Sequence, residues 1–256
     1  MNQRITIIAR YTLLEAMRTR LPELAAAAIV LVVAASFFVQ QIAITESARM
    51  QAGIYGSGMR LACVFIAGLH VLASIIREFN DKGLDVALAL DVPRAHYILG
   101  KLAGFLVIGV LLAAAVSVPL AFLATPEAAL QWGLSLALEL GIVIALALFC
   151  IVTFNQLMPA AGFVLAFYLL ARTLTAIRLI SAHSLAGADA PSHQVIQLLV
   201  EGLALVMPAL DRWTRTAWLV NQHAPWPDIG GLAGQTVLYV ALLAAAAMFD
   251  FYRKNF

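Results

Sequence analysis

Apolar residues run along this chain in long blocks separated by short polar interruptions, rather than alternating or recurring on one helical face. A helix needs about 20 mainly apolar residues to cross a hydrocarbon core of about 30 Å. Six such blocks occupy residues 24–44, 54–76, 102–124, 134–154, 157–177 and 232–249. The pattern predicts an all-α, polytopic membrane fold of six transmembrane helices, with 1–256 forming a single domain. The fifth block is the weakest, because only 157–171 is free of charge. Arg172 must therefore sit within or near a membrane boundary, snorkelling or facing protein or water.

The polar interruptions predict the other elements. In 1–22, Ile7, Tyr11, Leu14, Met17 and Leu21 fall on one helical arc, interrupted by Arg10 and Arg18. This segment is expected to be an interfacial helix with its arginines toward lipid phosphates, joined to the first span at Pro22. Within 178–231, residues 195–210 are apolar except Gln197 and Glu201 and are short for a span. They predict an outer helix that lies at the interface or re-enters part-way. The stretch "TRTAWLVNQHAPWPDIGG" after it reads as loop with interfacial aromatics.

The densest charge cluster is 77–101. Val86, Leu88 and Leu90 give it an apolar side, Glu78, Asp81, Lys82 and Asp85 a polar one, and Gly83 and Pro93 break it. A plain connector can be a handful of residues, so a longer segment of mixed polarity predicts a docking surface. Orientation follows from cations near the spans. Arg4, Arg10, Arg18 and Arg20 precede the first span, Arg77, Lys82, Arg94 and Lys101 lie between the second and third, and Arg253 and Lys254 follow the last. Both termini and the charged segment are expected in the cytoplasm. The arginines and glutamates ahead of the first block predict that it is retained and not cleaved as a signal.

Composition agrees with a membrane solvent. The chain is 63% hydrophobic and 12% charged, against about 25% charged in ordinary globular domains. A net charge of +2 and no basic stretch interleaved with aromatics argue against nucleic acid as a partner. Cys63 and Cys150 lie inside apolar blocks and read as small core residues. His183, His193 and His223 match no metal spacing, so no metal site is expected.

Few residues carry candidate chemistry inside the spans. Glu139 is the one carboxylate well inside a block, one turn from Ser135. It is protonated, paired with an arginine such as Arg172, or lines a substrate path; a structural or interface contact is preferred to a proton relay. His70 reads as a hydrogen-bonded helix-packing residue. Gly100 and Gly104 form a small-xxx-small pair that lets helices approach closely, or arises by chance in a glycine-tolerant chain. No catalytic motif is present: there is no nucleophile elbow, no H-E-x-x-H and no paired intramembrane aspartates. The Gly100–Lys101 pair is followed by Leu102 and has Ala95 where a phosphate-binding loop needs its first glycine. The chain is expected to be no enzyme and to hold no cofactor.

Glu78, Gly83, Leu88, Leu90, Val92, Arg94, Tyr97, Gly100 and Lys101 occur in the order of a pattern E…G-T-L…L-L-x-x-P-V-x-R-x-x-Y-x-x-G-K. "MPALDRW" at 207–213 is similar to P-N-L-D-R-F/W, and the ending "AAAAMFDFYRKNF" to a last span followed by F-x-x-[KR]. In these features, spread over nearly the whole chain, it resembles the ABC-2-type transporter permeases, the transmembrane subunits of ABC exporters. Pro93 departs from the pattern by adjoining Arg94, and the Gly83–Arg94 spacing is about one residue short.

The resemblance implies a multi-pass subunit of a bacterial cytoplasmic (inner) membrane, paired with a second permease copy as a homodimer or a heterodimer. It implies a coupling helix in 77–96 that touches separate ABC ATPase subunits, which hold ATP and Mg. Glu78, Asp81, Lys82, Gly83, Asp85, Leu88 and Arg94 are the expected coupling residues, and spans one, two and five the expected substrate route. The function implied is export of a hydrophobic or amphiphilic substrate from the cytoplasm or inner leaflet. The alternative is a membrane anchor or mechanotransmission subunit that passes ATPase motion through 178–231 to an extracytoplasmic partner, without moving a solute.

Overall fold

The computed structural model describes residues 2–42, 47–81, 93–182, 191–221 and 226–253, and no strand occurs among them. The helices are α1 (Asn2–Arg18), α2 (Leu21–Ile42), α3 (Ser47–Asn80), α4 (Arg94–Leu123), α5 (Pro126–Phe154), α6 (Leu157–Ala182), α7 (Pro191–Val206), α8 (Thr216–Val220) and α9 (Trp226–Arg253), with a 3₁₀ turn at Leu210–Arg212 before α8. Helices α2 to α6 and α9 are long and apolar enough to cross a membrane, one for each apolar block.

Every block lies largely within its helix, but the helices run further at one end or both, because backbone hydrogen bonding propagates into polar residues until something stops it. α3 begins at Ser47 and α4 at Arg94, well ahead of the blocks at 54 and 102. At α5 the stops are explicit. Thr125 caps its start by accepting from the Ala128 amide at 3.4 Å, with Pro126 next in the first turn, where its missing N–H costs nothing. Its end is Asn155, left-handed at φ 55°, whose amide bonds the Ile151 carbonyl at 3.0 Å. Pro22 sits in the first turn of α2, while α1 has already ended at Arg18.

α5 is the central helix, with Trp132, Leu136, Leu140, Ala147, Cys150 and Ile151 fully buried. α3, α4, α6 and α9 pack around it. The outward surfaces stay apolar: Val30, Leu31 and Phe38 on α2, Phe122 on α4, and Val237 and Leu242 on α9 are exposed. Hydrocarbon can solvate such surfaces; water cannot.

The bundle has a near end, with Asn80, Arg94, Phe154 and Arg253, and a far end, with Thr125 and the start of α9. α3 has 34 residues and α4 has 30, or about 51 and 45 Å at 1.5 Å per residue. Both exceed the roughly 30 Å hydrocarbon core, so they project beyond it.

α1 is seated on α4 at the near end. A Cβ on Gly100 would lie 2.7 Å from Ile8 Cβ, and one on Gly104 2.7 Å from Thr12 Cβ and 3.0 Å from the Ala9 carbonyl oxygen. Equal steps of four on both helices mean that they run parallel, with the two glycines making room for the α1 backbone. Thr12 and Ala16 are buried on that face, while Ile7, Tyr11, Leu14 and Met17, the apolar arc of the sequence, point away from the protein. Gly104→Ala should therefore destabilise the protein by about 1–3 kcal/mol through overpacking, against the gain of up to about 1 kcal/mol that alanine normally brings to a helix. Gly162→Ala, with open space around it, should be neutral or stabilising. Unfolding midpoints of the two variants in detergent test the difference.

Candidate functional site

Two polar networks stand out among the helices, one at the near end and one about midway along α5. At the near end, Lys101 of α4 is buried and forms ion pairs with Glu78 of α3 at 2.7 Å and Glu15 of α1 at 3.6 Å. Ser74 of α3 donates to Glu15 at 2.9 Å. Arg94 donates to the Phe251 and Tyr252 carbonyls at 3.2 and 3.3 Å, where cations suit the C-terminus of α9. Tyr97 stacks on Phe251 at 5.8 Å, and Thr153 donates to Asp250 at 2.7 Å. Five helices are thereby joined at one level.

The expected coupling residues divide accordingly. Glu78 is in the last turn of α3 and faces Lys101, Asp81 is exposed just beyond α3, and Arg94 opens α4 and turns toward α9. Lys82, Gly83, Asp85 and Leu88 lie outside the described residues. The ends of the 77–96 segment are the last turn of α3 and the first turn of α4, because both helices continue through charged positions. His70 packs edge-on against Phe105 at 6.0 Å, but its buried Nε2 has no hydrogen-bond partner among the described residues.

The second network is built around backbone that leaves the helix. After α7, Met207 and Pro208 are buried, and the chain passes through the 3₁₀ turn to Trp213 and Thr214, both fully enclosed. The partners of Thr214 on α5 are Ser135 and Glu139, about 14–20 Å along that helix from its start. Residues 207–214 thus pass between the helices as non-helical backbone, while α7 before them leaves Leu198, Leu199, Leu205 and Val206 exposed.

Non-helical backbone at such depth is tolerated only when its polar groups find partners in protein. Arg172 of α6 donates from Nη1 to the Leu210 carbonyl at 2.6 Å and the Trp213 carbonyl at 3.0 Å, and from Nη2 to the Thr214 carbonyl at 3.5 Å. Arg60 of α3 donates to the Thr214 carbonyl at 3.2 Å. The Thr214 amide donates to Ser135 Oγ at 2.8 Å. Trp213 Nε1 donates to Thr236 of α9 at 3.1 Å. These bonds hold Thr214 at φ 47°, a conformation that β-branched residues adopt only when their surroundings over-determine it.

Glu139 completes the arrangement. It is fully buried, and its Oε1 accepts from Tyr168 at 3.0 Å and from Arg172 at 3.3 Å. Its Oε2 accepts a short hydrogen bond from the Thr214 hydroxyl. Among the roles left open by the sequence, the contact with Arg172 is present, at 3.3 Å. The carboxylate offsets a guanidinium that is needed for the loop carbonyls. Thr214, Tyr168 and Arg60 were missed by sequence reasoning. The available signal was a polar "LDRWT" run in a chain that also places Glu139 and Arg172 inside apolar blocks.

Six helices long and apolar enough to span, enclosing an ion pair and a non-helical segment, define a multi-pass helical membrane protein. No protein-family model matches the chain, and no curated protein matches it.

Arg172→Met leaves Glu139 unpaired and the Leu210 and Trp213 carbonyls without their donor. It should cost about 3–5 kcal/mol, the usual result of breaking a buried pair from one side. Glu139→Gln keeps one acceptor oxygen, for Tyr168, turns an amide donor toward the Thr214 hydroxyl, which can accept, and leaves Arg172 on its carbonyls, so it should cost less. Thermal unfolding of both variants in detergent checks the order.

Proposed function

We propose that this chain is the permease subunit of an ATP-driven ABC exporter, worked by a separate ATPase bound at the near end, which faces the cytoplasm. The observation that carries the reading is the bracing of the near end. α3 and α4 project beyond the hydrocarbon core, and the charged connection between them hangs from two ends held by Glu78–Lys101–Glu15 and by Arg94 on α9. A push on that connection is delivered to whole helices instead of being absorbed in a loose loop. The resemblance in 77–101 and at 207–213 supports the same reading. The chain has no phosphate-cradling loop, so ATP and Mg belong to the partner.

The substrate is hydrophobic or amphiphilic. An open groove of about 330 Å³ runs between α3 and α6, lined by Val64, Phe65, Leu69, Met158, Leu165 and Tyr168. It offers apolar side chains to a lipid-like molecule and almost no polar ones. Two copies of the chain, or this chain and a homologue, would place such grooves along a shared interface.

Co-purification with a co-encoded ATPase tests the assignment. Leu88→Glu should weaken association by about tenfold or more, since about 1.4 kcal/mol of docking energy is a factor of ten. Lys101→Met should leave association intact while lowering substrate-stimulated ATP hydrolysis, because the brace and not the docking surface is lost. Unchanged association and unchanged hydrolysis in Glu78→Ala, Gly83→Pro and Leu88→Glu together would refute the reading.

A further inference from the structure

We propose that the far end of the bundle carries a binding site for the anionic, phosphate-bearing headgroup of a membrane amphiphile, built by Arg178, Arg212 and Arg215. Two grooves meet there. One, of about 410 Å³, is lined by Arg212, Arg215, Trp218, Asp228 and Gln235. The other, of about 310 Å³, is lined by Arg178, Arg212, Thr175, Ser181 and Glu201. Arg212 belongs to both and forms the wall between them.

All three arginines are exposed, and among the described residues none of them is in an ion pair. Glu201 and Asp228 line the same grooves without closing on them. Asp211, the nearest carboxylate in sequence, accepts from Thr175 at 2.8 Å. A guanidinium fork matches two oxygens of a phosphate group, which an ammonium cannot do.

The second argument is preorganisation. Arg212 and Arg215 flank Trp213 and Thr214, whose backbone is held by Arg172, Arg60 and Ser135. Arg178 stands on the last turns of α6. The cations are thus carried on fixed backbone, so less ordering cost is left for binding. The third argument is the apolar surround. Leu179 and Val200 line the second groove, and α7 exposes Leu198, Leu199 and Leu203 beside it. Arg178 and Asp228 lie within about 6 Å of their helix ends at 1.5 Å per residue, and Thr175 and Gln235 about 10–14 Å from them, so the grooves run from the helix ends inward along apolar helices. A headgroup with attached chains fits such a site better than a free anion.

This inference requires no ATPase, so its failure and that of the exporter reading are separate results. The full chain, solubilised in detergent, is titrated with short-chain phosphatidylglycerol and, separately, with phosphatidylcholine of equal chain length. Tryptophan fluorescence, to which Trp218 in the groove contributes, and the unfolding midpoint report binding. Phosphatidylglycerol should shift both saturably and phosphatidylcholine should not. Arg212→Gln should weaken that binding by about tenfold, or about 1.4 kcal/mol, and the Arg178→Gln, Arg212→Gln, Arg215→Gln triple variant should abolish it. Arg212→Lys, which keeps charge but loses the fork, should fall between wild type and Arg212→Gln, and Arg20→Gln at the near end should have no effect. Equal responses to the two lipids, or an undiminished phosphatidylglycerol response in the triple variant with unchanged helical circular dichroism, would overturn the proposal. So would full competition by inorganic phosphate in the same concentration range, which would make this a site for a soluble anion.

Discussion

Backbone that unwinds between membrane helices has no water to bond with, and the architecture around Thr214 follows from that constraint. The carbonyls of Leu210, Trp213 and Thr214 are met by guanidiniums from α6 and α3, and the Thr214 amide by a hydroxyl from α5. Guanidiniums suit the task because each presents several donors in a plane and stays charged. Bringing Arg172 in requires a counter-charge, and Glu139 supplies it from the middle of α5. Each member is present because another would otherwise be left buried and unpaired.

This network also locks the helices laterally. Between helices in hydrocarbon the hydrophobic effect gives little drive, so packing and interhelical hydrogen bonds carry association. Residues 213–214 collect bonds from α3, α5, α6 and α9 at one depth. The near end uses another device, in which small residues let α1 lie close on α4 and a buried lysine holds one glutamate from each of two helices. The helices are therefore tied together at the near end and again about midway along α5, while apolar side chains such as Val30, Phe122 and Val237 face outward.

The spans themselves were legible, because a run of apolar residues of the right length is a local property. The close approach at Gly100 and Gly104 was visible as a spacing, although only the fold identifies α1 as the partner. Arg172 and Glu139 each stood out as a charge in an apolar block, and their pairing was one of several options. The reading of 195–210 left an interfacial and a re-entrant helix open, and gave no sign that the polar turn after it passes between the helices to Trp213 and Thr214. Hydropathy ranks that turn as loop, because it cannot register that the Leu210, Trp213 and Thr214 carbonyls and the Thr214 amide are answered by neighbours. Similarly, Glu78 and Arg94 stood out as charges in the segment 77–101, and nothing local reveals that their side chains face Lys101 and the end of α9.

The sequence by itself thus determined that the chain forms helices, which of them are long enough to span, and where the charges interrupt them, since each of these depends on residues a few positions apart. Tertiary structure alone decided what those charges do. Glu139 meets Thr214 across 75 positions, Ser135 meets it across 79, and Arg60 across 154. Contacts over such separations arise from how whole helices pack, and a buried charge acquires its role only when packing has chosen its neighbours.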